Sequence, residues 1–267
     1  MLRAEISLLF RRLRIKVLLG VVMLVPVIVA VAVWLSGTGP NPGEGPQFLA
    51  QVTHNGVFAA LVGLTITLPI FLPLAVAVVS GDSIAGEANL GTLRYLLARP
   101  CGRTRLLVVK GVTVLLFCVV AAVAVAIAGL VAGAVLFPIG SLTTLSGTTL
   151  PLSEGMLRIL LAAVLVGGSL VGLAAIGMFV STVTDAPVGA MAATAGVAVL
   201  SGVLDAIPQL HALHPWLLTH WWLSFGDLLR SPVIWSGILR NAGLQALYGV
   251  IFATAAWARF SDKDVLA

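Results

Sequence analysis

The side chains best suited to chemistry in this sequence are its four histidines, which are His54, His211, His214 and His220. The spacing of His211 and His214 would place two metal ligands on one face of a helix. A metal site built on this pair needs a third ligand, and the neighbouring sequence indicates none clearly. We therefore interpret the histidines as residues of a membrane interface and predict no metal site.

Motifs for catalysis and nucleotide binding are missing. The sequence contains no HExxH zinc motif, no GxSxG nucleophile motif and no GxxxxGK[ST] phosphate-binding motif. Cys101 falls in a basic segment and Cys118 in an apolar run, so we expect no disulfide between them. An intramembrane enzyme is accordingly disfavoured. If the protein uses ATP, another chain must bind it.

The composition predicts an integral membrane protein. Of 267 residues, 60% are hydrophobic and only 9% are charged, whereas soluble domains carry about a quarter charged residues. The formal net charge of +5 could suggest nucleic acid. The basic residues lie between apolar runs, however, where topology signals belong, so we predict no nucleic acid partner. We expect one all-α transmembrane domain over residues 1–267, contacting membrane lipids.

Apolar stretches of about 20 residues predict a polytopic bundle of six spans. Their approximate bounds are 17–36, 56–80, 111–137, 157–184, 188–207 and 238–258. The first stretch follows basic residues, as a signal peptide would. It is longer than the roughly 7–15 apolar residues of such a peptide, so an uncleaved helix is favoured. Its basic flank, which holds Arg11, Arg12, Arg14 and Lys16, is predicted to form an amphipathic N-terminal helix.

The loops between the spans predict the orientation. Basic residues are concentrated in the N-terminal segment, in the loop 81–110 and in the C-terminal tail. The positive-inside rule then places both termini in the cytoplasm. Segment 208–237 mixes apolar residues with tryptophans and histidines, which is typical of an extracytoplasmic interfacial segment rather than a span.

The cytoplasmic loop 81–110 is predicted to hold a helix of its own. Asp82 or Ser83 could cap the N-terminus of this helix, and Glu87 would lie near the favourable end of its dipole. Pro100 would end it, because proline cannot continue a helix.

This loop helix has an apolar face, formed by Leu93, Leu96 and Leu97 at helical spacing. Such an amphipathic element could rest on the membrane, with its arginines at anionic lipid headgroups. It could equally be a docking surface for a cytosolic partner. Physical reasoning from the residues leaves both interpretations open.

The loop resembles the coupling element of ABC transporter type-2 permeases, which follows the second span and contacts the ATPase. The residues that match are Glu87, Gly91, Thr92, Leu93, Leu96, Leu97, Pro100, Arg103 and Lys110. The resemblance implies an ATPase-coupling role for this set, apart from Lys110, and for Asp82. Ala88 and Asn89 stand where the family often has a charged pair. The N-terminal helix and segment 208–237 are similar to the family's interfacial elements.

The resemblance implies a permease subunit of an ATP-driven exporter in the plasma (inner) membrane. Two copies, or one copy and a paralogue, would form the pathway, and a cytosolic ABC ATPase subunit would bind ATP and Mg. The apolar spans suit a drug, a lipid or a hydrophobic peptide. Candidate pathway residues are Thr65, Thr67, Pro69, Pro73, Ser169 and Ser201. The alternative is a membrane scaffold that recruits a partner through its basic loop without transport.

Overall fold

The fold is a bundle of helices, seen in a computed structural model that describes residues 2–36, 49–91, 102–143 and 147–262. The helices are α1 (Leu2–Arg11), α2 (Leu13–Ser36), α3 (Leu49–Val52), α4 (Phe58–Thr67), α5 (Phe71–Asn89), α6 (Arg103–Leu136), α7 (Leu152–Ser169), α8 (Val171–Val183), α9 (Pro187–Asp205) and α10 (Trp235–Asp262). Two-residue strands β1 (Leu142–Thr143) and β2 (Thr149–Leu150) pair antiparallel. Short 3-10 turns occupy Pro208–Leu210, His214–Trp216 and Trp222–Leu229.

Five helical stretches within the described residues are long and apolar enough to cross a membrane. They are α2, α5, α6, the consecutive pair α7 and α8, and α9. This confirms the prediction of an all-α, multi-pass membrane protein. The sixth predicted span, 238–258, coincides with the 28-residue helix α10. That helix is less apolar because it carries Arg240, Asn241 and Gln245, so the number six stays a prediction.

Two of the predicted spans consist of paired helices. The stretch 56–80 is divided between α4 and α5, with Pro69 in the break and Pro73 in the first turn of α5. A proline is tolerated in a first turn, where its missing N–H has no intrahelical partner. The stretch 157–184 is divided between α7 and α8 at Leu170. The prolines therefore explain the first break.

Helix α5 continues well past the predicted end of the second span. It runs without interruption to Asn89, so the predicted helix cap at Asp82 or Ser83 is wrong. Ser83 instead donates its hydroxyl hydrogen to the Ser80 carbonyl at 2.6 Å, as a serine within a helix can. Helix α6 likewise begins at Arg103, inside the predicted loop.

The two ends of the bundle are fixed by contacts between distant parts of the chain. Arg103, at the start of α6, donates to the carbonyl of Ser261 at 2.7 Å, which brings the end of α10 to this position. At the opposite end, Asn55 donates to the carbonyls of Gly140 and Ser141 at 3.1 and 3.0 Å. The start of α6 and the end of α10 thus share one end of the bundle.

Glycines of α6 allow it to pack directly on the backbone of α4. A Cβ atom at Gly129 would lie 2.6 Å from the Cα of Ala60. One turn later, Gly133 and Gly56 approach each other in the same way. Small residues four apart permit this close approach of membrane helices, and here they place α6 at the centre of the bundle.

The contact at Gly129 leads to a stability prediction. Gly129→Ala should lower the free energy of unfolding by about 1–3 kcal/mol, because the added methyl group meets backbone atoms that have no room to move. Gly196→Ala is the matched control in helix α9, where a Cβ would meet nothing within 4 Å. The control should leave stability unchanged or raise it by up to about 1 kcal/mol.

Thermal unfolding in detergent, followed by circular dichroism, measures both variants. Equal shifts in Tm for Gly129→Ala and Gly196→Ala would contradict the proposed close packing of α6 on α4.

Candidate functional site

The strongest polar constellation surrounds Lys110 on helix α6. Its ammonium group donates to the carboxylate of Glu87 on α5 at 2.6 Å and to that of Glu5 on α1 at 3.0 Å. The Lys110 side chain is only 4% exposed, against 15% for Glu87 and 26% for Glu5. A charge removed from water costs several kcal/mol unless it is paired. Three helices therefore converge on one ammonium group.

A second ion pair lies beside the first and involves Asp82 on helix α5. Its carboxylate accepts from the Arg12 guanidinium at 3.3 Å and also from that of Arg14. Both arginines are about half exposed, so each pair contributes at most about 1 kcal/mol. Arg12 separates α1 from α2. The ion pairs of Asp82 therefore determine where the junction of these two helices lies and add little stability.

A serine of α8 completes the connections at this end. The Ser181 hydroxyl donates to the Gly81 carbonyl at 2.7 Å and accepts from the amides of Ile84 and Ala85 at 3.0 and 2.8 Å. A side chain inserted into a helix in this way changes the local hydrogen-bond ladder. Ser181 could not be predicted from the sequence, because one serine in an apolar span carries no specific signal.

We call Glu5, Arg12, Arg14, Asp82, Glu87 and Lys110 the charged cluster. They line a cleft of about 40 Å³ between α1, α2, α5 and α6. Small-molecule sites have volumes of roughly 300–1,000 Å³. The cleft is thus too small for a nucleotide, and the cluster serves to hold helices together.

The predicted coupling residues fall into two groups. Asp82 and Glu87 belong to the charged cluster, Gly91 ends α5 with a left-handed φ of 68°, and Arg103 begins α6. The others lie outside the described residues, and they are Thr92, Leu93, Leu96, Leu97 and Pro100. Glu87 faces Lys110 within its own chain, whereas the family resemblance implied a position at a docking surface.

The predicted interfacial helix is present as α1 and the first turn of α2. Glu5 turns toward α6, whereas Arg11 and Lys16 are exposed. The sequence pattern identified this helix but not the acidic residue that fastens it.

The hydroxyl groups proposed for a substrate pathway are not brought together. Thr65, Thr67 and Ser169 donate to carbonyls of their own helices at 2.7–2.9 Å. Ser201 lies 2.9 Å from the hydroxyl of Thr219. The proposed set is spread over α4, α7 and α9, and its hydroxyls are engaged in hydrogen bonds.

An apolar groove of about 570 Å³ lies elsewhere, between helices α6, α8 and α10. Apolar residues such as Leu115, Ala175, Val250 and Trp257 line it, together with the hydroxyl-bearing Thr254. No sequence pattern predicts this groove, since it depends on which helices become neighbours.

The charged cluster leads to a prediction about Lys110. Lys110→Met should destabilise the protein by about 3–5 kcal/mol, because it leaves Glu87 buried without its main cation. The double variant Lys110→Met/Glu87→Gln should recover much of that loss, because it removes both charges. Arg105→Met, an exposed cation on the same helix, is the control and should have little effect.

Thermal unfolding of the wild-type protein and the three variants in detergent provides the measurement. The cluster would lose its proposed role if Lys110→Met unfolded at the temperature of the Arg105→Met control.

Comparison with known proteins agrees with this architecture. The sequence model of the family described as ABC-2 family transporter protein matches residues 9–214, most of the chain. The matched region contains Asp82, Glu87 and Lys110, while Glu5 precedes it. No curated protein matches the chain. The chain therefore belongs to the ABC-2 family of transporter proteins, as a multi-pass permease of an ABC transporter.

Proposed function

We propose that this permease is the membrane subunit of an ATP-driven exporter. A separate cytosolic ABC ATPase binds at the end of the permease that carries the charged cluster. Two such subunits, identical or paralogous, form the translocation pathway. The observation that carries the proposal is the position of the charged cluster. Glu87 and Lys110 lie on either side of segment 92–101 in the chain, and they join that segment's flanking helices to α1.

The distribution of basic residues supports a cytoplasmic position for this end. Those at the charged cluster end are Arg3, Arg11, Arg12, Arg14, Lys16, Arg103, Arg105, Lys110 and Arg259. The opposite end has Arg158, Arg230 and Arg240. An excess of arginine and lysine marks the cytoplasmic side of membrane proteins.

The connections suggest how movement would pass into the membrane. ATP and Mg, bound by the ATPase, would favour one arrangement of the complex over another. A displacement of segment 92–101 would act on both ends of the Glu87–Lys110 ion pair and so move α1 with α5 and α6. Ser181 would carry the same displacement to α8. This is a rigid-body switch in which the permease itself does no chemistry.

The apolar groove supports a hydrophobic or amphipathic substrate, such as a drug, a lipid or a peptide. Among the described residues that line it, none carries a charged side chain to match a small ion. Sites for such ligands are mostly apolar with a few polar groups, and Thr254 is one group of this kind.

Docking is tested with Leu93→Asp/Leu97→Asp. An adjacent reading frame that encodes an ABC ATPase would supply the partner, and co-purification followed by light scattering would give the stoichiometry. Wild-type protein should form a complex of two permeases and two ATPases. The variant should weaken binding by roughly 100-fold or more, because two apolar contacts of an interface are replaced by charges.

The matched control is Leu213→Asp/Leu223→Asp, whose leucines are exposed by 50% and 52% at the opposite end. It should bind the ATPase normally. A folded Leu93→Asp/Leu97→Asp variant that bound and transported like wild type would disprove docking at this end. A complex that forms but never transports would favour the scaffold alternative. Glu87→Arg is less suitable, because it places a second cation beside Lys110.

The substrate class is tested by filling the groove. Ala175→Phe should reduce the apparent affinity for an amphipathic dye by roughly 5–150-fold, since overpacking costs about 1–3 kcal/mol. Ala193→Phe, on an exposed position of α9, is the control. Dye-stimulated ATPase activity of the complex is the measurement. If the dye stimulated the ATPase activity equally in both variants, the groove would not be part of the substrate pathway.

A further inference from the structure

Three metal-ligating side chains meet where helix α9 ends. Asp205 is the last residue of α9, while His214 and His220 belong to the irregular segment that follows. One ligand atom from each of the three lies within 4.8 Å of the other two. The closest pair is His220 Nδ1 and Asp205 Oδ1, which are 2.6 Å apart. His211, the partner that sequence spacing gives to His214, is not in this group.

The rings of the group are held by contacts outside it. His220 packs edge-on against Trp221, with 4.7 Å between ring centroids, and the Arg240 guanidinium lies 5.3 Å from the Trp221 ring. His214 Nε2 lies 3.1 Å from the Ile207 carbonyl. Each of the three side chains is half-buried, so water and ions can reach them while their positions stay defined.

The backbone that carries the two histidines is also fastened to the bundle. The Thr219 amide donates to the Ser201 hydroxyl on α9 at 3.2 Å. Gln245 on α10 donates to the Leu218 carbonyl at 3.0 Å, and Tyr248 donates to that of Trp216 at 3.0 Å. A segment without regular helices is thus held in one arrangement, as a preorganised ligand set requires.

We propose that Asp205, His214 and His220 bind a divalent transition metal of the zinc class. Imidazole nitrogen and carboxylate oxygen are both established zinc ligands, and three protein ligands leave a fourth position for water. Tetrahedral ligands at about 2.0–2.2 Å from zinc lie about 3.3–3.6 Å from one another. This spacing falls between the 2.6 Å that separates His220 Nδ1 from Asp205 Oδ1 and the 4.8 Å within which all three ligand atoms lie.

The metal would crosslink two segments of the chain at the end of the bundle opposite the charged cluster. It would join the last turn of α9 to a segment that contacts α10, and so stabilise the folded state by binding it selectively. An ordinary histidine–aspartate pair would explain Asp205 and His220 alone. It gives no role to His214, and this difference makes the proposal testable.

The experiment titrates Zn²⁺ alone into the purified full-length chain in detergent, by calorimetry and by competition with a chromogenic chelator. Wild-type protein should bind one Zn²⁺ per chain and unfold at a higher temperature with Zn²⁺ present. Asp205→Asn, His214→Ala and His220→Ala should each weaken binding by about 10–100-fold or more. The same variants should lose the zinc-dependent rise in Tm.

Matched controls come from the other two histidines. His211→Ala, in the same segment, and His54→Ala, at an exposed position, should bind Zn²⁺ as wild type does. Circular dichroism and Tm without zinc establish that each variant is folded. Asp205→Asn, which keeps the side-chain shape, remains informative if a histidine variant does not fold.

Three results would overturn the proposal. Wild-type protein could fail to bind Zn²⁺, the His211→Ala variant could lose binding as strongly as His214→Ala, or His214→Ala could bind normally. The last result would reduce the group to a His220–Asp205 pair. Neither ATPase docking nor transport enters the assay, so it stands or fails independently of the proposed function.

Discussion

Lys110 lies almost completely buried among helices, and its charge is tolerated there because carboxylates are within hydrogen-bond reach. Helices α1 and α5 each contribute one carboxylate to Lys110, from Glu5 and Glu87. Removing either carboxylate leaves the ammonium group less compensated. The position of the N-terminal helix thus depends on the need to pair a charge at the edge of the membrane bundle.

Elsewhere in the bundle, packing replaces charge as the fixing interaction. Lipid provides little hydrophobic drive between helices, so close contact has to come from small residues and hydrogen bonds. Gly129 lets α6 meet the backbone of α4. Asn241 of α10 donates to the Ser169 hydroxyl at 2.6 Å. That contact gives a structural role to Asn241, one of the polar residues that make α10 less apolar than the other long helices.

The two ends of the bundle therefore have different chemical characters. One carries the charged cluster, which couples the helices flanking segment 92–101 and supports our proposal of ATPase docking. The other carries an irregular segment fastened by single hydrogen bonds, where Asp205, His214 and His220 meet. A permease that changes conformation needs a region on which the ATPase acts. It also needs regions whose structure does not change during the movement. The metal site proposed at the second end would keep the structure of that end unchanged.

The sequence by itself determined the membrane class, most helix positions and the family resemblance, because apolar length and basic flanks are local properties. It also singled out Glu87, although the ATPase-coupling role it implied for that residue stays a prediction. Only the tertiary structure decided that Glu87 pairs with Lys110, that Ser181 enters α5, and that His214 meets Asp205 and not His211. Each of these contacts joins residues of different helices or segments. Their partners depend on which helix faces pack together, which periodicity alone leaves open.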